Sequence, residues 1–288
     1  MDSTATNPDP IPELMRQLDT LVDGESASAK LAASGPRAVG PLADFLLRGR
    51  ARSVPWPRCW TVRALGGLGA RDVLIEYLEQ EPADDPVVRL HEEAVQREAA
   101  LALTSWDTDD VFAVLMRVAR RQAIPGVIEA LGRFDRREAV PALLKALEDD
   151  CCRPWAETAL EVHLARDHDL IVQSAFDRRT DVAQEEERPS LRRRRAVLRL
   201  LRSHAEPPDV VHALAPLIDS ADLEIAVDAC AIALAGGTTD ERARAGGRLK
   251  AIEPAAPWEL YADVKALLGR ADSVRLETST SSRRVADK

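Results

Sequence analysis

Aromatic residues make up only 4% of this 288-residue chain, and the four cysteines, Cys59, Cys151, Cys152 and Cys230, form no Cys-x-x-Cys pair. Adjacent Cys151 and Cys152 would close a strained ring if they bridged. Reduced thiols in a cytoplasmic setting are therefore expected. No apolar run approaches the roughly 20 residues needed to span a bilayer, which argues against a membrane protein. The opening segment, Met1 to Pro12, is polar and proline-rich and lacks the basic-then-apolar order of a secretory signal. Positive charge is in deficit: the formal net charge is −9. Proteins that coat phosphate backbones usually carry the opposite balance, so nucleic acid is disfavoured as a partner. Strand-favouring runs of Val, Ile, Thr and aromatics are missing as well, which excludes a β-rich fold.

Apolar residues supply 45% of the chain, mostly as Ala and Leu, which are strong helix formers. They recur in phrases. Asp135-Arg136-Arg137-Glu138-Ala139-Val140-Pro141-Ala142-Leu143-Leu144-Lys145-Ala146-Leu147 is the clearest copy, with weaker ones from Ala70 and Asp107. An Ala-Leu pair closes the stretch before each copy, at Ala64-Leu65, Ala102-Leu103 and Ala130-Leu131, and again at Ala159-Leu160 and Ala233-Leu234. The first three steps between these pairs are 38, 28 and 29 residues. Such a period predicts an all-α chain, an α-solenoid of about six antiparallel helix hairpins. The predicted helices include 57–68, 87–105, 122–132, 188–203 and 257–268. Residues 1–11 are expected to be disordered, 12–269 to form a single array, and 270–288 to be a Ser/Thr-rich, charged, disordered tail. Asp107, Asp135 and Asp167 are candidate N-caps, and Gly49, Gly69, Gly132 and Gly236 candidate helix ends. The long connection from Asp177 to Pro189 interrupts the rhythm, as functional or disordered loops do.

The Asp-then-Ala-Val-Pro-Ala-Leu-Leu phrase, together with the helix Arg97-Glu98-Ala99-Ala100-Leu101-Ala102-Leu103, resembles HEAT repeats of the phycobilin-lyase-like type. The resemblance runs over roughly residues 36–268. It implies the hairpin architecture and little about activity, because such proteins include chromophore lyases, an iron hydroxylase, DNA glycosylases and adaptors.

The sharpest chemical feature is an arginine stripe. Arg188, Arg192, Arg195, Arg199 and Arg202 follow spacings of 4, 3, 4 and 3 and so line one helix face. Like charges at this density call for acids opposite them. The acids could come from a partner with an acidic or phosphorylated surface, from Glu185, Glu186 and Glu187 just upstream, or from a neighbouring helix. Arg194 faces the apolar side and is expected to pair with a carboxylate or to snorkel.

Other chemistry is thinly represented. His91-Glu92 matches one of the several His-Glu pairs that iron-binding repeat hydroxylases use. His163 and His168 diverge by about 140° around a helix. Cys151-Cys152 before Arg153-Pro154 sits at a helix start, which favours a thiolate. Trp60 and Trp155 are expected to anchor hairpins. Ala64 to Gly69 lacks the Lys-Ser/Thr and the strand of a phosphate loop. No catalytic residue, cofactor or metal ligand is therefore assigned. The expected role is a cytoplasmic scaffold or adaptor that contacts its partner through the arginine stripe and the Glu185–Glu187 segment. The alternatives are a phycobilin-lyase-like enzyme or chaperone, and a nucleic-acid-binding protein.

Overall fold

The computed structural model describes residues 9–48, 54–81, 83–183, 185–204 and 207–286, with side chains as far as residue 272. Among them the secondary structure is helical, with one isolated β-bridge. The fold is all-α, of stacked helix hairpins of the α-solenoid class. The chain divides into two compact units, Met1–His163 and Leu164–Lys288.

In the first unit the hairpins are α1 (Ile11–Gln17) with α2 (Gly24–Ala33), α3 (Val39–Arg48) with α4 (Trp56–Gly67), α5 (Arg71–Glu79) with α6 (Pro86–Leu103), and α7 (Asp109–Arg121) with α8 (Pro125–Leu131). Then come α9 (Val140–Ala146) and the start of α10 (Arg153–Phe176). The second helices α2, α4, α6 and α8 pack side by side in one layer, and the first helices α3, α5, α7 and α9 in another. Leucines such as Leu42, Leu65, Leu74, Leu103, Leu115 and Leu131 are fully buried between the layers.

Small residues set the spacing within the second-helix layer. A Cβ on Gly126 would lie 2.5 Å from Arg97 Cβ and closer still to Arg97 Cα. A Cβ on Gly132 would lie 2.5 Å from Ala159 Cβ. The backbones therefore approach at distances only glycine permits.

The second unit is built around α13 (Leu223–Gly236), in which every residue from Ile225 to Leu234 is buried. A helix that is apolar on all sides must be surrounded. It is: α11 (Arg188–Arg202), α12 (Pro208–Leu214), α14 (Thr239–Ile252) and α15 (Trp258–Ala286) all pack on it. The Asp222 carboxylate caps α13 by accepting from Ile225 N–H, and Thr238 with Glu241 forms a reciprocal capping box on α14.

Several local expectations change. Gly269, placed at a helix end from the sequence, lies within α15, whose backbone runs on to Ala286. Residues 1–8 and Gly49 lie outside the described residues. Asp107 pairs with Arg136, and Thr108 takes the N-cap position of α7. Asp135 precedes a short 3-10 turn, Arg137–Ala139, whose N-cap position is Arg136. Asp167 lies inside α10 at a non-helical backbone position, φ −115° and ψ 23°. Of the candidate helix-end glycines, Gly69 alone among the described residues has positive φ, at 71°.

Candidate functional site

The arginine stripe lies on α11, and acids within its own unit answer most of it. Arg195 donates to Asp222 Oδ2 at 2.5 Å and to Glu224 Oε1 at 2.5 Å. Burial alone would lower the pKa of this guanidinium, but the two carboxylates win and raise it. Arg202 reaches Asp228 at 2.9 Å and Asp263 at 2.5 and 2.6 Å. Hydrogen bonding to Asp263 raises its pKa further, and in return holds the Asp263 carboxyl below its ordinary range. Arg199 is 3.7 Å from Glu224, and Arg188 is exposed. Arg192 is partly buried in the same helix. Thus the stripe forms, but Arg195 and Arg202 are spoken for.

The upstream acids are likewise structural in part. Glu186 accepts from Arg194 Nη1 at 2.6 Å and from the Ser190 hydroxyl at 3.1 Å, with Arg178 at 3.6 Å. Arg194 is buried as expected and also donates to the Ala175 carbonyl at 2.7 Å. Glu187 lies 3.7 Å from Arg179, while Glu185 is exposed. Among the described residues of the connection 177–189, Thr180 and Glu186 form a bridge, and Asp181 Oδ1 accepts from Ala183 N–H and Glu185 N–H.

A second cluster, not singled out from the sequence, lies between α4, α5 and α6. Arg58 is 6% exposed. Its Nη1 donates to Glu92 Oε1, and its Nη2 donates to the Leu46 carbonyl at 2.7 Å. Tyr77 Oη donates to Glu92 Oε2 at 2.7 Å, and its ring lies 5.1 Å from the guanidinium. Burial lowers the Arg58 pKa and raises that of Tyr77. A cavity of about 170 Å³ opens beside them. Glu92 therefore belongs to an ion pair, not to an iron site. Among the described residues no group of three His, Cys, Asp or Glu is placed to hold a metal ion. The signal that could have found this cluster is the repeat offset: Arg58 to Glu92 spans 34 residues and Arg63 to Glu98 spans 35.

That offset continues as a ladder. Arg63 Nε donates to Glu98 at 2.9 Å and lies over the Trp60 ring at 4.6 Å. Arg97 Nε donates to Glu129 at 2.9 Å and lies over Trp155 at 5.1 Å. Both tryptophans thus anchor second helices as expected. The buried thiols do not fit nucleophiles. Burial pushes Cys59 up to about 11, and burial together with the Asp149 carboxylate pushes Cys152 up to about 12.

The second helices also leave large apolar side chains exposed. Trp56 precedes Arg58 by two residues on α4, as Leu90 precedes its partner Glu92 on α6. Trp56 is 47% exposed and Leu90 64%. Gly24 of α2 packs against Trp60, and Leu21 and Val22 just before α2 are exposed. Val87, one turn before Leu90 on α6, is exposed as well.

Residues 126–149 match the family model described as the PBS lyase HEAT-like repeat. This HEAT-like repeat covers nearly all of α8 and the whole of α9, including the close approaches at Gly126 and Gly132. No curated protein matches the chain in sequence. Two engineered proteins of known structure align with 91% and 92% of it, over 77% and 97% of their own lengths. Identities are 15% and 19% and TM-scores 0.34 and 0.29, too distant to bear on function. Among the described residues no helix is long and apolar enough to cross a membrane.

Proposed function

We propose that the chain is a cytoplasmic, non-enzymatic scaffold that holds a protein partner on the exposed surface of its HEAT-like hairpins. The observation that carries this reading is the exposure of Val87 and Leu90, one turn apart on α6, with Trp56 exposed on neighbouring α4 and Leu21 and Val22 exposed just before α2. These are large apolar side chains left in water. Contiguous exposed apolar surface marks interaction sites more often than scattered single residues do. Helices already fixed by packing lose little further freedom on binding, so a modest surface gives useful affinity. The arginine stripe is kept as a secondary contact for an acidic or phosphorylated surface, through Arg188 and Arg199. A phosphate backbone would have to compete with Asp222, Asp228 and Asp263 for Arg195 and Arg202.

The test is an affinity pull-down from nuclease-treated native lysate with three proteins: wild type, Trp56→Glu/Leu90→Glu, and Arg188→Glu/Arg199→Glu. Circular dichroism checks that all three are equally helical. A discrete partner should be lost with the first variant and weakened with the second. Identical recovery with all three proteins refutes the reading.

A further inference from the structure

We propose that the groove between α7 and α9 receives an amphipathic helix of a partner protein. The helix runs antiparallel to both, with an acidic residue near its start on Arg120 and a basic residue three turns on at Glu138. The site lies in the first-helix layer, away from the helices that carry Trp56, Val87 and Leu90, and so goes beyond the surface named above. Between α7 and α9 lies a groove of about 530 Å³. Buried Met116 and Ile128 line it, with alanines spaced four apart on both walls: Ala119 and Ala123 along α7 and its end, Ala142 and Ala146 along α9. Rows of alanine leave room for the side-chain ridge of a third helix, and methionine adapts to its shape. Neither wall offers a strand edge, so an extended segment would enter with its backbone unpaired. A helix brings its own hydrogen bonds.

The charges of the lining set the spacing and the direction. Arg136, just before α9, donates to Asp109 at 2.7 Å and to Asp107 at 3.1 Å, which ties the starts of the two helices together. Glu138 stands at that end, two residues after Arg136. Arg120 stands at the other end, eleven residues along α7 from Asp109, or about 16 Å. Beside Arg120 the remaining charges of the lining answer one another. Lys145 pairs with Glu148. Arg121 donates to the carbonyls of Leu78, Glu79 and Gln80 at the end of α5. Asp149 accepts from Cys151 N–H and Cys152 N–H, both at 2.9 Å, at the start of α10. Each suits the helix end it sits on, and the two charges sum to zero. That leaves the cation Arg120 at one end of the lining and the anion Glu138 at the other, both exposed and without a partner among the described residues. A ligand with an acid for Arg120 and a base for Glu138 answers both. On a helix an acid suits the first turn and a base the last, so the bound helix starts at Arg120 and runs against α7 and α9.

The experiment is fluorescence anisotropy with the full chain and three fluorescein-labelled, end-capped peptides of fifteen residues. The first has glutamate at position 2, leucine at positions 5, 6 and 9 and lysine at position 13, with alanine and glutamine elsewhere. The second exchanges the glutamate and the lysine, and the third is the first with proline at position 8. The first should bind saturably and at least tenfold more tightly than either of the others. Arg120→Glu/Glu138→Arg should reverse the preference between the first and second peptides. Ala142→Tyr, which fills the groove, should abolish binding. Circular dichroism checks that both variants keep their helical content. No saturable binding, equal affinity for the first and second peptides, an unreversed preference in the exchanged variant, or undiminished binding to Ala142→Tyr overturns the site. Undiminished binding of the proline peptide overturns the helical form of the ligand. Failure of the titration overturns the groove alone, and identical recovery in the pull-down overturns the scaffold reading alone.

Discussion

Replacing Gly126 by alanine should destabilise the first unit, although the same change in an open helix position stabilises. Inside a helix, Gly to Ala gains up to about 1 kcal/mol of intrinsic propensity. At Gly126 the added Cβ would lie 2.5 Å from Arg97 Cβ and closer to Arg97 Cα, whereas ordinary carbon contacts fall near 3.5–4.0 Å. The obstacle includes the backbone of α6, so no side chain can swing aside. The helices must separate by roughly 1 Å, which loosens the Arg97–Glu129 bond and the stacking of Arg97 on Trp155. Overpacking of this kind costs about 1–3 kcal/mol. Set against the full propensity gain, the net loss should be about 0–2 kcal/mol. Gly247 is the control: it lies inside α14, and its added Cβ would meet nothing within 4 Å. Gly247→Ala should stabilise by up to about 1 kcal/mol. Urea denaturation followed by circular dichroism reads both changes as midpoint shifts at constant slope. If Gly126→Ala stabilises as Gly247→Ala does, the close approach of α6 and α8 is not real.

Further changes test the polar framework. Glu92→Gln strands the buried Arg58 guanidinium and should cost about 2–4 kcal/mol in chemical denaturation; a loss under 1 kcal/mol would mean the pair is solvated. Arg202→Leu leaves Asp228 buried without its cation and should cost about 1–3 kcal/mol, discounted for the partial exposure of the pair, while Arg188→Ala should stay within about 0.5 kcal/mol of wild type. Because Arg202 lowers the pKa of Asp263, the stability from that pair is complete above the ordinary Asp value of about 3.9 and is lost as pH falls through the lower folded value. Asp263→Asn should therefore flatten the acid limb of stability, and an unchanged limb would contradict the assignment. Of the thiols, Cys151 is exposed while Cys59, Cys152 and Cys230 are buried with raised pKa values. A chromogenic disulfide at pH 8 should titrate one thiol quickly and the rest only in denaturant; two fast thiols would refute that placement.

Helix identity and the hairpin order were legible because they depend on local spacing. Alanine and leucine recurring at helical intervals bury one face wherever the chain goes next. The end of the last hairpin was harder to read, since Gly269 looks like an end in sequence but is a helical residue in the fold. The arginine stripe was correctly placed on one face, but its meaning turned on acids 26 to 61 residues away, among them Asp222, Asp228 and Asp263. Arg58 carried no local pattern. Its partner Glu92 drew notice only for standing beside His91, and the pairing becomes visible only when successive repeats are laid over each other.

The ladder of Arg63 to Glu98 and Arg97 to Glu129 has a direction. Helix α6 carries an acceptor for the preceding helix and a donor for the following one, at adjacent positions. Such a join behaves like the head-to-tail linkage of a polymer: α6 presents unlike ends, an acceptor to α4 and a donor to α8. Removing one whole hairpin would bring Arg63 opposite Glu129 and restore that linkage. At this rung the ion pairs therefore tolerate a change of hairpin number, while the close approach of Gly126 to Arg97 ties its own pair of helices together.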